Sequence, residues 1–336
     1  MMSETGDERR PHSVSVVIPV YRGQETLASL VGELSSMAST RVSDDGHPYL
    51  VTEVLLVHDH GPDRSDEVIR ELAQSYDFVR PVWLSRNFGQ HAATLAGMSC
   101  SASDWIVTLD EDGQHNPADL PAMLDTALRE NATVVYANPT NKPSHGWFRN
   151  STSSLARWTF VRMLSSERQP PFHSYRLVLG EIGRSVAAYA GAGVYLDVGL
   201  GWVTQQFATC PVRLRDEGER RSGYSTRTLL SHFWRLVLTS GTRPLRAMSL
   251  IGALFAALGF LSAVVVLVGR VSGAIDVQGW ASLTIVVLVG FGLTLFTLGI
   301  VAEYIGISTG MAMGKPPFLV VSDLEVGPLG QRSQQR

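Results

Sequence analysis

Two stretches free of charged residues, Met248 to Gly269 and Trp280 to Ala302, constrain this chain more than any other feature. Each runs about 22 residues, enough for a helix to cross the hydrocarbon core of a bilayer. A core helix of a soluble domain carries polar residues along one face, and these do not. The connection between them, Arg270 to Gly279, is too short for a domain, so both ends of the hairpin are expected on one side. Arg235, Arg243 and Arg246 precede the first stretch, whereas the connection holds only Arg270 and Asp276; the positive-inside rule makes the outer ends cytoplasmic. Met1 to Ser13 contains no apolar run of the kind a secretory signal needs, so the first domain is expected to stay on the cytoplasmic side. Cys100 and Cys210 are then expected to be reduced, and they lack metal-ligand spacing.

Charge divides the remainder. Residues 1–144 carry 10 Lys and Arg against 21 Asp and Glu, residues 145–246 carry 14 against 6, and residues 247–336 carry 4 against 4. The basic block lies directly before the first apolar stretch, where arginine is drawn to anionic headgroups or a lipid phosphate. Nucleic acid is excluded as its partner, because no nucleic-acid motif accompanies the charge. Within the block, Leu229, Leu230, Phe233, Trp234, Val237 and Leu238 share one helical face opposite Ser231, His232 and Arg235, which predicts an interfacial helix over 226–247. Trp147, Phe148, Arg149, Trp158 and Arg162 suggest a second element of this kind.

From Val14 the chain alternates short β-branched runs with helical spacing. Strands are expected at Val14–Pro19, Glu53–Asp59, Val79–Leu84, Trp105–Asp110 and Thr133–Tyr136, and helices at Glu25–Met37, Ser65–Tyr76, Gly89–Ser101 and Pro117–Arg129. Repeated βα units imply an α/β fold with a doubly wound, mostly parallel sheet and ligands at the carboxyl ends of its strands. The expected organisation is a disordered 1–12, a catalytic domain over 13–225, the juxtamembrane helix, the two spans, and a cytoplasmic tail over 303–336.

Thr108-Leu109-Asp110-Glu111-Asp112-Gly113-Gln114 follows the apolar run Trp105-Ile106-Val107. Three acids at the end of a buried strand repel one another, and a divalent cation relieves that. Asp110 and Asp112, on one side of an extended chain, offer hard oxygen ligands and Gln114 a carbonyl, a set suited to Mg²⁺ or Mn²⁺ shared with substrate phosphates. His58 and His60 share a strand face but lack a third ligand, so they do not define a transition-metal site.

Three further segments accompany the acidic one: Val16-Val17-Ile18-Pro19-Val20-Tyr21, Leu84-Ser85-Arg86-Asn87-Phe88-Gly89-Gln90 and Arg220-Arg221-Ser222-Gly223-Tyr224-Ser225. In order and spacing the four resemble glycosyltransferase family 2, and within it the polyprenyl-phosphate glycosyltransferases; Pro244-Leu245-Arg246 and Glu303-Tyr304-Ile305-Gly306 strengthen the likeness. The resemblance runs from about Ser13 to Gly306 and implies a GT-A fold. It implies that Asp110 and Asp112 are catalytic and, with Gln114, bind the metal and through it a donor diphosphate. Pro19, Tyr21, Asp59, Arg86, Asn87 and Gly89 would bind the nucleotide sugar, and Gly89 ahead of a helix suits backbone contact with an anion. Arg220 and Ser225 match a late phosphate-binding motif; with Arg149, Arg221 and Arg227 they form a candidate site for the acceptor phosphate.

The sequence departs from the family at His58-Asp59-His60-Gly61-Pro62-Asp63, at Ser174-Tyr175-Arg176 where an Asp-Phe-Arg run is usual, at Thr226 and at Ile307. The expected reaction is inverting transfer of a sugar to a polyprenyl phosphate at the cytoplasmic membrane face, by a membrane enzyme whose hairpin also suits homo-oligomer formation. Two alternatives stand beside it. A polysaccharide-building member of the family would carry a Gln-x-x-Arg-Trp segment, which Gln205-Gln206-Phe207-Ala208-Thr209 does not match, and a non-catalytic lipid-binding membrane scaffold would bind neither donor nor metal.

Overall fold

The computed structural model describes residues 10–141, 172–191, 194–215, 280–323 and 325–326, with scattered positions between 252 and 272. These residues form two units: one from the chain up to 141, residues 172–215 and the segment from Pro316, the other from residues 252–315.

The first unit begins with β1 (His12–Val20), α1 (Leu27–Ser35), β2 (Arg41–Val42), β3 (Pro48–His58), α2 (Ser65–Ser75), β4 (Val79–Leu84), α3 (Gln90–Cys100) and β5 (Trp105–Thr108). A 3₁₀ turn at Pro117–Asp119 then leads into α4 (Leu120–Glu130) and β6 (Val134–Pro139). After the undescribed stretch come β7 (Arg176–Leu179), α5 (Gly180–Tyr189), α6 (Leu196–Val203) and β8 (Phe207–Val212). The second unit contains α7 (Trp280–Ala312), and β9 (Val320–Val321) returns to the first.

Val14, Val16, Val17, Ile18 and Val20 are fully buried along β1, as a strand covered on both faces requires. Val16, Ile18, Val54 and Leu56 pack beneath α1, α2 and α4; Val17, Leu55 and Val57 meet α3, α5 and α6 on the opposite face. Helix α3 lies closest: a Cβ on Gly97 would stand 2.3 Å from Val17 Cγ1 and 2.9 Å from Val57 Cγ2.

The strand order is β8-β6-β7-β5-β1-β3-β4-β9, with β2 beside β3. The expectation of a mostly parallel sheet is corrected. β1–β3, β1–β5, β3–β4 and β6–β8 are parallel, but β2–β3, β4–β9, β5–β7 and β6–β7 are antiparallel, so the sheet is mixed. Strands β7 and β9 re-enter from outside the βα repeats, and a returning chain is free to pair antiparallel. The expected strand at Trp105–Asp110 also ends early, at Thr108. The chain turns at Glu111 and Asp112 and bends at Gly113, which has φ +76°, so Asp110 and Asp112 do not alternate along an extended chain.

In the second unit α7 runs unbroken for 33 residues, past the expected end at Ala302. Its Val289–Gly310 window is long and apolar enough to cross a membrane and is only 6% buried. Leu283, Val286, Phe291 and Phe296 are each more than half exposed, as lipid-facing side chains would be. The described positions in the first apolar stretch, among them Gly252, Ala257, Leu261, Val264 and Val268, are helical. A hairpin of two complete spans is not established by these positions, and the juxtamembrane helix over 226–247 lies outside the described residues.

Candidate active site

The carboxyl ends of β1, β3, β4 and β5 lie at one sheet edge, and β7, running the other way, begins there with Thr108 opposite Arg176. This antiparallel entry brings Ser174 to the acidic turn. Ser174 Oγ donates to Asp110 Oδ2 at 2.6 Å, and Gln90 Nε2, at the start of α3, donates to Oδ1 at 2.7 Å. The Asp110 backbone N–H donates to His115 Nδ1 at 3.0 Å. His115 therefore accepts as a neutral ring, and burial holds its pKa down to about 4. Its ring stacks on Tyr175, 4.9 Å between centroids, whose hydroxyl donates to the Asn116 carbonyl.

The three acids separate in function. Glu111 turns back to accept the backbone N–H groups of Tyr21 at 2.8 Å and Arg22 at 2.9 Å, fixing the exit from β1. Asp112 Oδ1 accepts the Gln114 N–H at 3.0 Å and closes the turn. Asp110 faces the cleft, and burial pushes its carboxyl pKa up against the pull of Ser174 and Arg176. Burial raises Glu111 as well, with the Tyr21 and Arg22 amides opposing.

Asp59, 3% exposed, accepts Phe88 N–H at 2.7 Å and Gly89 N–H at 2.8 Å. The Gly89 amide expected to meet a ligand anion thus meets an internal one. Gly89 has φ +92°, a conformation that favours glycine. Arg86 and Asn87 stand exposed on the same loop, with the Arg86 guanidinium 4.1 Å from the Phe88 ring centre. Tyr21 is 41% exposed, and Gly61 approaches its carbonyl so closely that a Cβ would lie 1.6 Å away. His58 ends β3 and is buried, while His60 has φ +51° and is exposed; among the described residues no third ligand joins them.

A cavity of about 170 Å³ opens at this edge, lined by Pro19, Gln90, Asp110, His173, Ser174 and Asp197 among others. Its floor is a buried ion pair between Arg176 and Asp197, with Tyr136 donating to Asp197 at 2.9 Å. Burial and the neighbouring His115 lower His173 to about 4. Sequence reasoning missed His115, His173 and Asp197 and noted Ser174 only as a departure, because their convergence depends on the direction of β7.

Among the described residues no group of three or more His, Cys, Asp and Glu side chains is arranged to hold a metal alone. Asp110, which lines the cavity and is desolvated, has the hard-oxygen chemistry of a ligand to a divalent cation whose other ligands include phosphate and water. Gln114 is tied through its main chain, its carbonyl accepting the Arg215 N–H at 2.9 Å. Arg149, Arg220, Arg221, Ser225 and Arg227 lie outside the described residues.

A mixed α/β sheet with an acidic loop and a cavity at the carboxyl ends of its strands is a GT-A-like arrangement. The chain belongs to glycosyl transferase family 2, whose profile matches residues 15–187, and it is a glycosyltransferase. It is 31% identical over 324 residues to the undecaprenyl-phosphate 4-deoxy-4-formamido-L-arabinose transferase of Pseudomonas paraeruginosa, covering 94% of this chain and 91% of that one. The protein of the same name from Edwardsiella ictaluri is 27% identical over 310 residues, covering 91% and 93%. Among solved structures, glucosyl-3-phosphoglycerate synthase of Mycobacterium tuberculosis, in complex with Mn²⁺, UDP-glucose and phosphoglyceric acid, superposes with a TM-score of 0.51 at 16% identity. That likeness covers 69% of this chain and 79% of the other and concerns the fold.

Proposed function

We propose that this glycosyltransferase moves a sugar from a nucleotide donor to a polyprenyl phosphate at the cytoplasmic face of a membrane. The observation that carries this reading is the anchoring of Arg215. Its N–H donates to the Gln114 carbonyl, and its guanidinium grips Glu33 at 2.8 and 2.7 Å and Asn116 at 2.6 Å. The basic segment therefore departs from beside the acidic turn, and Arg220 follows Arg215 by five residues. Leu214 and Asn141 exchange hydrogen bonds of 3.0 and 2.7 Å, so the segment leading to Arg149 starts from the same place. Two relatives that share nearly the whole chain are named for transfer involving undecaprenyl phosphate, in keeping with this reading.

On this reading Asp110 and Asp112 hold Mg²⁺ or Mn²⁺ with the donor diphosphate; the ion supplies positive charge opposite the leaving diphosphate. Ser174 and Gln90 orient the Asp110 carboxylate. Pro19, Tyr21, Asp59 and the Arg86–Gly89 loop serve the nucleotide sugar, with Asp59 acting through the loop. Arg149, Arg220, Arg221, Ser225 and Arg227 receive the lipid phosphate, for which several paired donors are suited. That phosphate is ionised near pH 7 and is its own nucleophile: its oxygen bonds to the anomeric carbon as the bond to the nucleoside diphosphate breaks. Two spans anchor the enzyme. The sheet contains strands from before the spans and β9 from after α7, so an even number of crossings separates them, which supports Met248–Gly269 as the second crossing.

The test is a screen of nucleotide sugars with undecaprenyl phosphate and either cation, read as the mass of the lipid product. A sugar-phosphate lipid is the expected product; donor turnover onto water or a soluble acceptor, with no lipid product, would refute the assignment.

A further inference from the structure

The segment after α7 does more than end the chain. Val320 and Val321 pair antiparallel with Leu84 and Trp83, and the Leu319 carbonyl accepts the Ser85 N–H at 3.0 Å. Phe318 packs against the apolar cluster under α3. A two-residue strand is too short to hold itself in place. Its anchor is Arg70 of α2, which contacts Asp323 through two nitrogens at 2.6 and 3.0 Å, Asp66 at 3.0 Å and Glu325 at 2.9 Å. The same guanidinium lies 5.0 Å from the Trp83 ring centre, on the strand that β9 joins. Arg70 and Asp323 are only 20% and 15% exposed, so solvent screens this two-point pair less than it would a surface pair.

Ser85 opens the loop that carries Arg86 and Asn87. That loop is pinned at its exit by Asp59, through Phe88 and Gly89, and Gln90 follows directly with its bond to Asp110. The pin at its entry is the Leu319 carbonyl. We propose that the strap from Phe318 to Asp323 is part of the donor site, with Arg70 and Asp323 as positioning residues that fix the Ser85–Gly89 loop. The proposal rests on the reading that this loop serves the nucleotide sugar. Replacing Asp323 leaves Arg70 with two acids, a moderate loss; replacing Arg70 leaves three carboxylates facing one another, a larger one.

Full-length protein in detergent is compared with Asp323→Asn, Arg70→Gln and the conservative Asp323→Glu. Amide hydrogen exchange is followed over residues 85–90 and, as a control, residues 14–18 of β1; donor KM and kcat are measured beside it. Exchange over 85–90 is expected to quicken about tenfold in Asp323→Asn and more in Arg70→Gln, with β1 unchanged. Donor KM should rise roughly fivefold at near-constant kcat, and Asp323→Glu should recover most of both. Should Arg70→Gln not fold, Glu325→Gln, at a position 68% exposed, gives a milder step in the same direction. Unchanged exchange over 85–90 overturns the strap's role, whatever happens to activity. Faster exchange with unchanged donor KM instead removes the loop from the donor site and takes the proposal with it.

Discussion

Asp110 is a carboxylate whose charge the fold disfavours and the proposed chemistry needs. Burial raises its pKa, while Ser174 and Gln90 hold its two oxygens in place. Asp110→Asn keeps the shape and removes the buried charge, so transfer should fall by about a thousandfold or more while the melting temperature holds or rises. Activity that survives both this change and EDTA would remove the metal from the mechanism. A second residue makes its prediction through pH. His58 is 8% exposed, and its Nε2 has no hydrogen-bond partner among the described residues. Burial first, then His60 and Arg70, lower its pKa, against opposing pulls from Asp66 and Asp63. Between that lowered value and about 6.5 the unfolded chain binds a proton that the folded one refuses, so stability falls as pH drops through this window. His58→Phe keeps a ring against Trp83 and removes the orphaned nitrogen. It should flatten the decline in melting temperature between about pH 7.5 and 5.5 and stabilise the protein by about 1 kcal/mol at the acid end. Parallel pH curves for the two proteins would show that His58 is not a source of the acid sensitivity.

Helix α3 joins core to site: its first residue reaches Asp110, and its middle lies directly on β1 and β3. Gly97 permits that approach, with Val17 and Val57 where a Cβ would go. Gly97→Ala should therefore destabilise by about 1–3 kcal/mol despite the higher helix propensity of alanine, which urea titration would measure. An increase in stability would mean that the sheet yields at this point. The same elements show what could be read from the sequence. The four βα units were legible from apolar periodicity, and β4 falls where it was expected, at Val79–Leu84. Asp110 and Asp112 were legible as acids closing a buried strand. Strands β7 and β9 were not, because short apolar runs far along the chain carry no local sign of their partner or direction. Ser174 looked like a loss of an acid; only the antiparallel entry of β7 reveals it as a ligand of Asp110. The Gly89 amide looked available to a substrate, and the claim that Asp59 makes on it is a contact between residues 30 positions apart.

The chain leaves the sheet after β8, passes through its apolar segments, and comes back to the same sheet as β9. A sheet cannot be hydrogen-bonded through a bilayer, so everything in it lies on one side, and the crossings between residues 215 and 316 must be even in number. The apolar Val289–Gly310 window of helix α7 is the candidate for one. Met248–Gly269 is the remaining charge-free stretch of sufficient length, and Arg235, Arg243 and Arg246 ahead of it favour the cytoplasm for the sheet. A reporter fused after Arg336 should then behave as cytoplasmic, and a cysteine placed at Ser272, after Cys100 and Cys210 are replaced by serine, should react with an impermeant maleimide from the opposite side. The two readouts separate the ways this topology can fail. Labelling of Ser272→Cys from the cytoplasmic side, with the C-terminus also cytoplasmic, would mean that neither stretch crosses. An external C-terminus beside outside labelling of Ser272→Cys would put β9 across the bilayer from β4 and overturn the strap together with the hairpin, whereas an external C-terminus beside cytoplasmic labelling would reverse the orientation and leave the sheet intact.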